Sequence, residues 1–133
     1  MDDARQHFLD TLGNVPAAVE VMATHAPDAL HGYLALRTYA HLEPPEGELD
    51  APTRELLFIV LDVVEGHIEA AKAHAESGIQ AGLTVGAISQ ALVIAMMVSG
   101  INTWSQHGHE VVAHAATFEA ILAKAGSPSA GEA

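Results

Sequence analysis

Apolar residues recur every three or four positions along most of the chain, which is the spacing of helices that pack against one another. In the first third, stripes of this kind predict helices over residues 3–12, 15–25 and 28–41, separated by glycine and proline. No stretch alternates strictly between apolar and polar residues, so the sequence predicts no strand.

The second part of the chain predicts longer helices. Asp50 can cap a helix in which Pro52 occupies the first turn, and Gly66 interrupts that helix. Further helices are predicted over 67–81, 84–99 and about 102–125, and Thr84 is expected to cap the second of these. The pattern therefore predicts an all-α domain of about six or seven helices over residues 1–125, followed by a short, polar, flexible tail over 126–133.

Two of these helices are apolar nearly all round, over residues 56–64 and 92–98. A chain of 133 residues cannot comfortably bury both, so we expect a homo-oligomer that covers part of this surface. Half of the residues are apolar but only 5% are aromatic, which indicates a core of aliphatic side chains. Met22, Met96 and Met97 are expected to fill gaps in that core.

Charge and composition exclude several classes of function. Seventeen acidic residues against five basic ones give a formal charge of −12, which disfavours binding to nucleic acid or to an anionic membrane. The chain has no cysteine, which excludes disulfides, thiolate metal sites and thiol nucleophiles. No apolar run reaches the roughly 18 residues of a membrane span, since charges at Asp62 and Glu65 interrupt one such run. No signal-peptide pattern is present, so we expect a cytoplasmic protein.

Residues 55–82 combine an apolar helix with acid–base groups, and such groups are candidates for chemistry. His67 and His74 are seven residues apart, which would place them within about 20° on one helix face but roughly 10.5 Å apart along it. The pair alone is therefore poorly spaced to chelate a metal, and both histidines can equally be exposed or hydrogen-bonded in the interior. Glu55 is either a solvated residue near the helix start or a core-facing carboxylate that shares a proton with a histidine.

A second group of candidates lies near the start of the last helix. Trp104, His107 and His114 stand in the segment TWSQHGHEVVAHA, in which the two histidines are again seven apart. Trp104 and His107 can line a pocket wall and bind substrate, or these residues can be exposed or lie at a subunit contact.

Over residues 28–102 the chain resembles the carboxymuconolactone decarboxylase and AhpD alkylhydroperoxidase superfamily. The resemblance lies in the strings YLALRTYAHLEPPEGELDAPTRELLFIVLDVV, HIEAAKAHAESGIQAGLT and VGAISQALVIAMMVSG. It implies an AhpD-like helical domain that assembles as a trimer or hexamer.

The peroxidase branch of that superfamily uses a glutamate, a Cys-x-x-Cys pair and a histidine. In this sequence Glu55 takes the glutamate position and His74 the histidine position, while His67 and Ala70 stand in the two cysteine positions. Because peroxide reduction in that branch needs a thiolate, the resemblance implies the scaffold and the proton relay without the peroxidase activity.

The decarboxylase branch uses the same histidine position without cysteines, on an acidic lactone and without a metal or organic cofactor. His74 fits that position, and Arg37 or Arg54 are the arginines that can hold a substrate carboxylate. The resemblance thus implies a lyase rather than a peroxidase. The predicted substrate-binding residues are Arg54 and, from the last helix, Trp104 and His107.

Three functions follow from these residues. The first is a cofactor-independent acid–base enzyme, a decarboxylase, lyase or isomerase, in which Glu55, His67 and His74 act on a small organic acid or lactone. The second is a divalent-metal site, for Zn²⁺ or Fe²⁺, built from the same three residues. The third is an oligomeric ligand-binding protein that has lost the chemistry of its family.

Overall fold

The structure, a computed structural model, describes residues 2–126, and every regular element within that range is a helix. The all-α prediction is therefore confirmed. The predicted tail lies outside the described residues from position 127 onward. Contacts divide the chain into two compact units, Met1–Leu49 and Asp50–Ala133, and each unit is described by itself. The prediction of one domain over residues 1–125 stays a prediction.

The first unit contains three helices, close to the predicted positions. They are α1 (Asp2–Leu12), α2 (Ala17–His25) and α3 (Pro27–Ala40). Phe8, Val19 and Leu30 form its small buried core together with Ala4. Arg37 donates hydrogen bonds to His7 Nε2 at 3.3 Å and to Thr11 Oγ1 at 3.1 Å, and these bonds join α3 to α1.

The second unit contains four α-helices and one π-helical segment. They are α4 (Ala51–Glu65), α5 (Ile68–Gln80), α6 (Val85–Ser99), the π segment (Thr103–Gly108) and α7 (His109–Ala125). Asp50 caps α4 by accepting a hydrogen bond from the Thr53 amide at 2.9 Å, and Thr84 caps α6 by accepting one from the Ala87 amide at 3.0 Å. Both caps were predicted from the sequence.

The core of this unit is aliphatic, as the composition predicts. Its fully buried residues are Ile59, Val63, Ala71, Ala75, Ile88, Leu92, Val111 and Ala115. Trp104, on the π segment, is partly buried and packs against this cluster. The prediction that Met97 fills a core gap is wrong, because 80% of that residue is exposed on the outer face of α6.

Gly66 reverses the chain between α4 and α5. It adopts φ +80°, a left-handed conformation that favours glycine, and the His67 amide donates back to the Asp62 carbonyl at 2.8 Å. This is the hydrogen-bond pattern of a Schellman motif, in which the residue after the glycine lies beside the residue five positions before it. The turn therefore brings His67 next to Asp62.

Among the helices of residues 2–126, none is long and apolar enough to cross a membrane.

Candidate active site

Glu55 and His74 form a hydrogen-bonded pair in the interior of the second unit. Glu55 lies on the first turns of α4 and is buried, and His74 on α5 lies opposite it with Nδ1 2.7 Å from Glu55 Oε2. An ionised carboxylate has no hydrogen to give, so His74 donates through Nδ1–H. The structure confirms the core-facing alternative for Glu55, and it leaves His74 Nε2 as the atom available for chemistry.

A stacked aromatic ring fixes the plane of the His74 imidazole. Phe58, one turn after Glu55 on α4, lies with its ring centroid 4.4 Å from that of His74 and its plane tilted by only 9°. Stacking and the hydrogen bond to Glu55 together hold the imidazole in one orientation. Only 13% of the His74 side chain is exposed, so most of the imidazole is shielded from solvent.

Asp62 is the site residue that the sequence reading missed. Its Oδ2 atom lies 3.9 Å from His74 Nε2, on the side of the ring opposite Glu55. The sequence carries a signal for it: Glu55 and Asp62 are seven residues apart on one continuous helix, which places both carboxylates within about 20° on one face. In the sequence reading, Asp62 counted only as a charge that interrupts an apolar run.

A glycine on α5 allows the two helices to approach closely at Glu55. A Cβ atom added to Gly78 would lie 3.4 Å from Glu55 Cβ and 2.6 Å from Leu83 Cδ1. Leu83 covers Gly78 because α5 also ends in a Schellman motif, with the Leu83 amide donating to the Gly78 carbonyl at 2.8 Å and Gly82 at φ +111°. The missing side chain at Gly78 thus allows α4 and α5 to lie close together where Glu55 contacts His74.

Arg54 lies beside the pair, as its predicted role requires. Its Nε atom is 3.5 Å from Glu55 Oε1, and its side chain is 13% exposed. The guanidinium therefore offsets part of the negative charge that Glu55 and Asp62 bring into the site. Its binding of a substrate carboxylate stays a prediction.

His67 does not share a helix face with His74. It caps α5 with a non-helical backbone, so the spacing argument for one face of a helix fails at this residue. Its side chain is 65% exposed and its Nδ1 lies 3.7 Å from Asp62 Oδ1. His67 is therefore at the edge of the site, joined to it through Asp62.

Trp104 and His107 lie away from the Glu55–His74 hydrogen bond. Trp104 packs on the core, and His107 lines a shallow cleft of about 240 Å³ together with Gly66 and Gln106. His114 instead lies 3.5 Å from Glu76, which joins α7 to α5. His107 lies in the π segment and His114 in α7, so the uniform α-helical spacing assumed for their common face does not hold over the whole interval.

The donor groups do not assemble into a metal-binding arrangement. Within residues 2–126 there is no group of three or more histidine, aspartate or glutamate side chains placed to hold a metal ion. Glu55 turns one oxygen to His74 Nδ1, while His67 lies out at the surface. The geometry gives no support to the alternative of a metal bound by Glu55, His67 and His74.

Comparisons with known proteins identify the family and the fold. The sequence profile described as "Carboxymuconolactone decarboxylase family" matches residues 27–113, well over half of the chain. A crystal structure of a protein from Burkholderia xenovorans LB400, provisionally named carboxymuconolactone decarboxylase, superposes with a TM-score of 0.84. The two chains are 24% identical, and the match covers 95% of this chain and 96% of the other, which shows a shared fold. No curated protein matches the sequence.

Proposed function

Because the chain belongs to the carboxymuconolactone decarboxylase family, we propose that it is a small acid–base enzyme of the decarboxylase, lyase or isomerase type. Its substrate is a small organic acid or lactone, and it needs no cofactor. The observation that supports this proposal is the buried Glu55–His74 hydrogen bond, which leaves one imidazole nitrogen directed away from its partner. The chain has no cysteine for the thiol chemistry of a peroxidase.

His74 is the general acid and base in this mechanism. With Nδ1–H donated to Glu55, the lone pair on Nε2 can take a proton from carbon or oxygen, and Nε2–H can return it. In a decarboxylation the substrate's carboxylic acid gives its proton to Nε2, CO2 leaves and an enolate forms, and Nε2–H then returns that proton to the enolate carbon. Glu55 holds the imidazole in the productive tautomer and stabilises the imidazolium when His74 carries both protons.

Arg54 supplies the positive charge that an acidic substrate needs. Its Nε atom lies 3.5 Å from Glu55 Oε1, so it brings positive charge to this site, while Arg37 belongs to the first unit. Trp104, packed on the core, gives no support to its predicted role in binding substrate.

The test is turnover of small carboxylated γ-lactones, followed by CO2 release and by deuterium incorporation from D2O in NMR spectra. Replacing His74→Ala should lower the rate by about 10² or more, which is the usual contribution of general acid–base catalysis. His109→Ala is the matched control, because His109 is an exposed histidine of the same unit and should keep the wild-type rate. Equal rates for wild type and His74→Ala would disprove the role of His74.

We also propose that the protein self-associates, as a trimer or hexamer by its family resemblance. The last turns of α6 expose Met97 by 80% and Val98 by 88%, and α4 exposes Leu57 and Leu61. An exposed apolar surface of this kind is typical of a subunit interface. Light scattering should give a multiple of 13.9 kDa for wild type and a smaller mass for Val98→Glu. A monomeric wild-type protein would contradict this proposal.

A further inference from the structure

One oxygen atom of the site has no partner. Asp62 Oδ2 is buried and accepts no hydrogen bond from any of residues 2–126. A buried carboxylate oxygen without a donor is unfavourable, and native proteins usually supply that donor from protein or from water. His74 Nε2 lies 3.9 Å from this oxygen.

This distance fits one oxygen atom between the two groups. A separation of 3.9 Å is too long for a direct hydrogen bond. If an oxygen lies about 2.8 Å from each atom, the angle Asp62 Oδ2–oxygen–His74 Nε2 is about 90°, which a water molecule can accommodate. Polar gaps longer than a hydrogen bond are commonly bridged in this way.

A molecule that bridges Asp62 and His74 must donate two hydrogen bonds, because both groups are acceptors. The Asp62 carboxylate is an acceptor, and in the neutral imidazole that donates Nδ1–H to Glu55, His74 Nε2 is also an acceptor. An alcohol has one O–H and can satisfy one of them, whereas water can donate to both. Both hydrogens of such a water point to the protein, and its lone pairs point away from these two groups.

We propose that His74 and Asp62 bind and activate a water molecule, and that the site therefore hydrolyses small neutral esters or lactones. This inference goes beyond decarboxylation and rests on the proposed role of His74 as the general base. Asp62 orients the water through Oδ2. Its other oxygen, Oδ1, lies 3.7 Å from His67 Nδ1, so the exposed histidine helps to fix the carboxylate.

The reaction is balanced by the groups at the site. The water oxygen forms a bond to the lactone carbonyl carbon while one of its protons passes to His74 Nε2. The tetrahedral intermediate then expels the ring oxygen, which takes that proton back from Nε2–H. The products are a carboxylic acid and an alcohol on one opened chain, and His74 returns to its starting form.

Charge at the water position favours a neutral carbonyl. Two carboxylates, Glu55 and Asp62, flank His74, and Arg54 offsets only one of them. A free carboxylate at the water position would meet Asp62 at close range and be repelled. The carbonyl group of an ester or lactone has no such penalty.

The experiment uses the full chain with γ-butyrolactone and dihydrocoumarin as probes, and measures acid release against the spontaneous rate. Wild type should hydrolyse at least one lactone, and His74→Ala should lower kcat by about 10². Asp62→Asn should lower kcat by at least about tenfold with KM unchanged, because the water is lost while the lactone still binds. Glu69→Gln removes one carboxylate from an exposed position of α5 and should keep the wild-type kcat.

Three results would overturn the inference: no hydrolysis by wild type above the spontaneous rate, an Asp62→Asn variant as fast as wild type, or an equal loss in Glu69→Gln. A fourth measurement does not depend on any variant folding. A high-resolution crystal structure should show an oxygen within hydrogen-bond distance of both His74 Nε2 and Asp62 Oδ2, and its absence would also overturn the inference.

These outcomes separate the inference from the proposed function. If carboxylated lactones lose CO2 in a His74-dependent reaction while neutral lactones remain intact, the acid–base function stands and the water site is refuted. If neutral lactones are hydrolysed but no acid is decarboxylated or exchanged, the water site stands and the decarboxylase-type function is refuted.

Discussion

Gly78→Ala tests whether the site depends on the close approach of α4 and α5. The new Cβ would lie 2.6 Å from Leu83 Cδ1, a distance that real contacts do not reach, and 3.4 Å from Glu55 Cβ. Leu83 must therefore move, and it is partly buried against the core of the second unit. Overpacking of this kind costs about 1–3 kcal/mol.

A helical glycine replaced by alanine also gains intrinsic helix stability. That gain is about 0.8–1 kcal/mol in a helix interior, so the expected net loss for Gly78→Ala is roughly 0–2 kcal/mol, with about 1 kcal/mol as the central value. A loss of 1 kcal/mol lowers the melting temperature of a domain of 60–100 residues by about 4–8 °C. The measurement is thermal unfolding followed by circular dichroism.

Two controls isolate the clash with Leu83. Gly86→Ala, on α6 of the same unit, places its Cβ 3.7 Å from Thr84 Oγ1, an ordinary contact, and should leave the melting temperature unchanged or raise it. On a Leu83→Ala background the clashing atom is gone, so adding Gly78→Ala should be neutral or stabilising. An equal cost of Gly78→Ala on both backgrounds would refute the packing argument.

Two further predictions concern Glu55 and His7. Glu55→Leu should destabilise the protein by about 1–3 kcal/mol because it leaves the buried His74 Nδ1–H unpaired, whereas Glu55→Gln keeps an acceptor and should cost less; urea unfolding of the two variants checks this order. The pKa of His7 is lowered from 6.5, mainly by burial and also by the Arg37 guanidinium, while Asp10 acts in the opposite direction. His7 therefore binds a proton at a higher pH in the unfolded chain than in the folded one. The stability that neutral His7 contributes should be fully present above pH 6.5 and be lost as the pH drops through the lowered pKa. His7→Gln should weaken this pH dependence of the melting temperature, and an unchanged dependence would contradict the assignment.

The helices were predictable because their signals are local. Asp50 and Thr84 cap helices where the sequence places a cap, and Gly66 ends α4 where a glycine interrupts an apolar run. Such signals need only the residues of one helix and its ends. The Glu55–His74 pair followed from the family resemblance, since nothing within α4 alone shows that Glu55 faces a histidine on another helix.

The predictions about the site that were wrong depend on backbone geometry, which the amino-acid composition does not reveal. His67 is a helix cap rather than the first residue of a helical face, and His107 belongs to a π segment, in which the angle per residue differs from that of an α-helix. Asp62 was missed although its spacing from Glu55 is regular, because a single carboxylate in an apolar run resembles an ordinary surface charge. Only the turn at Gly66 and the ring of His74 show what that carboxylate faces.

Because of the position of Trp104, the intrinsic tryptophan and tyrosine signals of this chain report on the unfolding of different units. The sequence contains one tryptophan, on the core of the second unit, and two tyrosines, Tyr33 and Tyr39, both on α3 of the first unit. Tryptophan emission will therefore follow the loss of the second unit, while tyrosine absorbance follows the first. Coincident transitions would indicate that the two units unfold as one cooperative domain, and separate transitions would show which unit is lost first.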